Sequence, residues 1–98
     1  MQKGTTPIHT FTLDIDTGTL KKARVIYAQS GKRVLVKEDG VLSGNTITVK
    51  LTQNDTFLFD HKKKVEIQVR ALMHNGDTYN SDIYEETVER CLDTEVIR

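Results

Sequence analysis

Tryptophan is missing from this chain, cysteine and proline occur once each, and no apolar run approaches the ~18 residues that a membrane span requires. Each absence narrows the field. With Cys91 alone there is no internal disulfide framework and no thiolate cluster for zinc, which fits a protein made and kept in a reducing compartment. The cysteine pair and buried tryptophan of antibody domains cannot be built either, so any immunoglobulin likeness is architectural. Fourteen basic and fourteen acidic side chains cancel, leaving no global field to draw the chain onto nucleic acid or anionic lipid. Neither nucleic acid nor membrane is expected as a partner. The six glycines are singles at turns or termini, and none forms a phosphate-binding loop. The opening "MQKGTTPIHT" lacks the apolar core of a secretory leader, so the expected address is a cytoplasm.

What is present is alternation. In "TITVKL" Ile47, Val49 and Leu51 share one face, and in "VEIQVRA" Val65, Ile67, Val69 and Ala71 do. This is the pattern of antiparallel strands with one wet face. Ala23, Val25 and Tyr27 form a third inward row, Val34 and Val36 a fourth, and Phe11 and Leu13 a fifth. Turn signals separate these runs: Asp16-Thr17-Gly18, Ser30-Gly31, Glu38-Asp39-Gly40, Ser43-Gly44-Asn45 and Asn75-Gly76-Asp77. No window keeps a helical period. About seven short strands at this spacing predict an all-β fold, either a small barrel or two antiparallel sheets packed face to face, and the expectation is the antiparallel two-sheet sandwich of immunoglobulin-like architecture. One domain over residues 1–98 is expected, with a short tail from about 91.

Two irregularities stand out. Thr52 precedes Asp55 by three residues, a capping-box variant that predicts a helical turn at the corner between the sheets. The late segment "TYNSDIYEETVER" loses phase, Ile83 being odd where Tyr84 and Val88 are even, which predicts a bulge or kink near Ser81 to Ile83.

The chemistry-bearing motifs are weak. Asp16-Thr17-Gly18 is the tripeptide of aspartic proteases, yet no glycine-rich flap or second supporting glycine motif accompanies it, and a strand-to-strand turn is due there. "DIDTG" also echoes a calcium loop, but its twelfth position is Val25 where a bidentate glutamate is needed. His9, His61 and His74 lack metal-site spacing and read as surface or rim side chains. Cys91 is assigned no role. No catalytic residue, metal ligand or cofactor is expected, and the chain reads as a non-enzyme.

Charge is uneven along the chain. Between Thr17 and Lys37 lie six bases and no acid, whereas Asp82 to Arg98 holds six acids against two bases. Solvated strand faces explain this, and so does electrostatic head-to-tail docking between subunits. The candidate interface is apolar. Phe57, Leu58 and Phe59 cannot all face inward from an extended strand, and Val96 and Ile97 end the chain without an evident strand face.

The segments "KGTTPIHTFTL", "KKARVIYAQ", "LSGNTITVKLTQNDTFLF", "VEIQVRAL", "SDI" and "CLDTEV", in that order, resemble a family of small uncharacterised proteins encoded by phages and prophages of gut Gram-positive bacteria. The likeness covers essentially the whole chain and brings no active-site residues with it. The layout is also loosely similar to the N-terminal sandwich domain of phage baseplate upper proteins. The resemblance implies a structural or assembly module in a tail or baseplate setting. Such a module is synthesised in the host bacterial cytoplasm, becomes virion-associated and contacts itself or other virion proteins. The alternative is a free-standing ligand-binding sandwich, with carbohydrate as the ligand.

Overall fold

Residues 1–98 are described by a computed structural model. Strands form where apolar side chains recur at every second position, because that spacing lets one row be buried while the other stays wet. β1 (Ile8–Thr12), β4 (Val41–Ser43) and β5 (Thr46–Lys50) make a three-stranded antiparallel sheet in the order β1-β5-β4. The second sheet contains β2 (Leu20–Gln29), β3 (Lys32–Lys37), β6 (Val65–Met73), β7 (Thr78–Asn80) and β8 (Tyr84–Glu86). Its order is β3-β2-β6, with β7 and β8 following one another along the far side of β6, and every pairing is antiparallel. The fold is an all-β two-sheet sandwich. In immunoglobulin domains the second strand sits in the sheet of the first and fifth. Here β2 pairs with β3 and β6 instead, so the likeness stops at the two layers.

Between the layers Val25, Tyr27, Ile47, Val49, Leu51, Phe59, Val65, Ile67 and Val69 are at most 2% exposed. The inward rows read from β1, β2, β5 and β6 are therefore the rows that pack. β3 is a correction. Leu35 lies opposite Tyr27 and Lys37 opposite Val25, so these two share the inner face, while Val36, opposite Ile26, faces outward. A bulge between Tyr27 and Ala28 leaves Val34 unpaired, and it still packs against the core. Three apolar residues in a row gave alternation no handle on the phase.

The β2–β3 hairpin turns on Ser30 and Gly31, both at positive φ, as a two-residue turn matched to the twist of the strands requires. Helix α1 (Gln53–Phe57) carries the chain from β5 to β6 and so makes the corner between the sheets. The predicted bulge is also present. Ala71 faces Tyr79 but Ile67 faces Tyr84, so inward residues change from odd to even across Ser81–Ile83. Ser81 replaces the missing ladder bond, since its N–H donates to Val69 O at 2.9 Å and its hydroxyl accepts the Val69 N–H at 2.9 Å. No helix is long and apolar enough to cross a membrane.

Candidate interaction surface

α1 begins at a complete capping box. The Asp55 N–H donates to the Thr52 hydroxyl at 3.1 Å, and the Thr52 N–H donates to Asp55 Oδ2 at 2.9 Å. Lys37 Nζ, reaching inward from β3, donates to the same carboxylate oxygen at 3.0 Å. Burial alone would raise the Asp55 pKa, but the Thr52 N–H and the Lys37 ammonium outweigh it and hold the carboxyl below its usual range. The basic strand thus spends one of its charges on fixing the corner.

The corner resolves the run of three apolar residues by helical geometry. Phe59 is fully buried, its ring 5.8 Å from that of Tyr27, and so it leaves the candidate interface for the core. Phe57 is half-buried. Leu58 is 56% exposed. Gly4, at φ +80°, is what admits Phe57: a Cβ there would stand 2.9 Å from the Phe57 ring and 3.5 Å from Cys91 Sγ. The N-terminal segment is held to α1 by Thr56, whose hydroxyl accepts the Gly4 N–H and donates to Thr5 O, both at 2.9 Å.

The tail comes to the same corner. From Cys91 onward it has no regular structure, and Gln53 of α1 clasps it: the side-chain amide donates to Ile97 O and accepts the Ile97 N–H, each at 2.9 Å. Val96 is half-buried and Ile97 is 75% exposed. The structure therefore brings the tail onto the helix that ends at 57–58, with 96–97 at the start of that helix. It adds a residue that sequence reading passed over, Leu92, 92% exposed in the tail.

A polar cluster lies at the opening between β1 and β8. His9 has the parity of Phe11 and Leu13, and its side chain turns inward at 14% exposure, unlike exposed His61 and His74. Its Nδ1 is 2.8 Å from the Tyr27 hydroxyl and its Nε2 is 3.3 Å from Glu86. Glu86 also meets the Met1 ammonium at 3.0 Å, and Glu89 meets it at 3.0 Å from the other side. Burial holds His9 below the usual histidine range, against the pull of Glu86 and with the push of the Met1 ammonium. With a carboxylate facing Nε2, the neutral tautomer that satisfies both contacts carries its proton on Nε2 and accepts from Tyr27 at Nδ1. A groove of about 480 Å³ runs past this cluster, lined by Ile8–Thr12 of β1, Ile67, and Tyr84–Glu86 of β8.

The remaining motifs fall at turns. Asp16 caps the 3₁₀ turn Thr17–Thr19, its Oδ1 accepting the Gly18 N–H at 2.8 Å, while the Thr17 hydroxyl donates to Gly44 O at 2.8 Å. The basic stretch is divided. Lys21, Lys22 and Arg24 occupy one end of β2, Lys32 and Arg33 lie on β3 beside its other end, and Lys37 points inward. Nowhere do three His, Cys, Asp or Glu side chains gather closely enough to hold a metal ion. Compared with protein-family models, with curated proteins and with solved structures, the chain matches none.

Proposed function

We propose that this sandwich is a non-enzymatic, phage-derived structural or assembly module of a tail or baseplate setting, acting through protein–protein contacts. The contact reading is carried by one observation. At the α1 corner Leu58 and Ile97 stand exposed on a scaffold that is itself firmly tied, by the capping box, by Lys37 and by the Gln53 clasp. Apolar side chains held rigidly in water lose little entropy when a partner covers them, which is what recognition surfaces exploit. The phage setting rests on the resemblance of the sequence pattern to the prophage-encoded family. Its test is a pull-down of particle proteins from an induced host, with the parent chain, with Leu58→Asp and with a chain ending at Asp93. Binding to particle proteins that both changes abolish is the expected result. Equal binding by all three would place the contact elsewhere, and no binding by any would remove the setting.

A second reading, a free-standing carbohydrate-binding domain, is favoured by the groove between β1 and β8, where the Phe11 and Tyr84 rings lie 5.2 Å apart beside polar Glu85 and Glu86. Oligosaccharide titration followed by amide shifts decides it. Saturable shifts confined to Ile8–Thr12 and Tyr84–Glu86 are its signature.

A further inference from the structure

The five-stranded sheet has two open edges of opposite charge. β3 pairs only with β2, and along Lys32–Lys37 no backbone hydrogen bond reaches its other side. Its unpaired charges are Lys32 and Arg33, Lys37 being held by Asp55, and it carries no acid. At the opposite edge, β8 pairs only with β6, and its outer side makes no backbone hydrogen bond between Tyr84 and Glu86. From Thr78 to Glu86 that edge carries Asp82, Glu85 and Glu86 and no base. Just beyond, the edge is closed, because the Met1 N-terminus donates to Thr87 O and Glu89 N–H to Met1 O. The open stretch also borders the 480 Å³ groove, whose other wall is β1.

Register makes the two edges complementary in position as well as in sign. Arg33 lies opposite Ala28, Ala28 opposite Glu66, and Glu66 opposite Glu85, so Arg33 and Glu85 end the same row on the same outer face. One row further, Lys32 ends opposite Gln29 and Glu86 opposite Val65. The strand count settles direction. Four antiparallel strands lie across the sheet in the order β3-β2-β6-β8, so β3 and β8 run oppositely, and a copy facing the same way presents its β3 antiparallel to β8.

We infer that the partner of this module is a second copy of the chain, whose β3 edge adds antiparallel to the β8 edge and sets Arg33 against Glu85 of its neighbour. The inference rests on the protein-contact reading and names a surface distinct from the α1 corner. Charged edges ordinarily serve to prevent strand addition. Here each edge repels its own kind, β3 against β3 and β8 against β8, while the heterologous pair attracts. Within the chain neither Lys32, Arg33 nor Asp82 is in an ion pair, and Glu85 meets only exposed Lys64 at 3.9 Å. A heterologous contact that leaves one edge free at each end builds a ring or a filament, never a closed pair.

Sedimentation velocity from micromolar to millimolar chain, at low and high salt, tests this with the parent, Arg33→Glu, Glu85→Arg and the double variant Arg33→Glu/Glu85→Arg. Both positions are exposed, and circular dichroism verifies that each variant is folded. The parent should associate beyond a dimer, less so in high salt. Each single reversal should weaken association by about tenfold, and the double variant should recover it because the ion pair between the two positions is restored with its signs exchanged. A parent that stays monomeric throughout, single variants that associate as the parent does, or a double variant that fails to recover would each overturn the inference. Leu58→Asp binding to particle proteins is read separately, so the contact reading stands or falls without it.

Discussion

Ile67 and Thr48 sit on opposite faces of their strands, and the difference in what they touch sets the cost of shortening each. Ile67 is 2% exposed between the sheets, and Ile67→Ala should cost about 2–5 kcal/mol in urea unfolding. Thr48 lies on the outer face between Thr10, whose hydroxyl is 3.2 Å from its own, and Val41, so Thr48→Ala should cost about 0.2–1 kcal/mol. Comparable losses at both sites would mean that the faces are exchanged. His9 gives a pH dependence. Its folded pKa lies below the ordinary 6.5, so the unfolded chain takes up the proton first, and stability present above pH 6.5 is lost as pH falls through the folded value. Glu86, the Met1 ammonium and the Tyr27 hydroxyl are the groups facing it. Melting temperature should therefore drop as pH falls below about 6.5 in the parent and drop less in His9→Gln; parallel slopes would remove His9 as the cause.

Among the elements, α1 is five residues long, too short to persist on its own, and its cap and tethers hold it. Thr52→Ala should cost about 1 kcal/mol, with Thr52→Ser close to the parent, as measured by chemical denaturation. The bulge between β7 and β8 depends on one hydroxyl. In Ser81→Ala the buried Val69 N–H loses its acceptor, and a cost of about 1–3 kcal/mol follows. Ser81→Thr, which keeps the oxygen, should lose less; an alanine variant as stable as the parent would mean that water replaces the hydroxyl at no cost. Both elements were readable, because each leaves a local signature: Thr52 three residues before Asp55, and a change of parity between Ile83 and Tyr84.

At the scale of the molecule, the sandwich is closed at one end by segments that are remote in sequence, the N-terminal stretch, α1 and the tail. A chain ending at Asp93 loses the Gln53 clasp and half-buried Val96 but none of the fourteen buried apolar residues of the core. It should fold, with near-parent circular dichroism and a modestly lower melting temperature. Collapse of the truncated chain would make the tail part of the core rather than of a surface. Acidification acts at the same corner. The Asp55 carboxyl is held below its usual range by Thr52 and Lys37, so its contribution is present above the unfolded value of 3.8 and is lost as pH falls through the folded one.

Local periodicity was enough to read an all-β antiparallel chain, which residues of β1, β2, β5 and β6 face inward, and where the corner helix and the bulge fall. Each of these follows from residues a few positions apart, and alternation, capping and turn chemistry act over that range. That the strands form two sheets rather than a small barrel was decided by the tertiary structure. The phase of β3 was not legible, because Val34-Leu35-Val36 offers two apolar rows and only pairing with Tyr27 and Val25 selects the one that brings Leu35 and Lys37 inside. The partners of His9 were not legible for a related reason: it lies at the rim of the groove, but only the tertiary structure brings Tyr27 and Glu86, from other strands, to its two nitrogens. The clasp of the tail by Gln53, and the placement of Arg33 and Glu85 at the two ends of one row, depend on which segments lie side by side. That ordering is fixed by how the apolar faces of distant segments pack together, and the tertiary structure alone decided it.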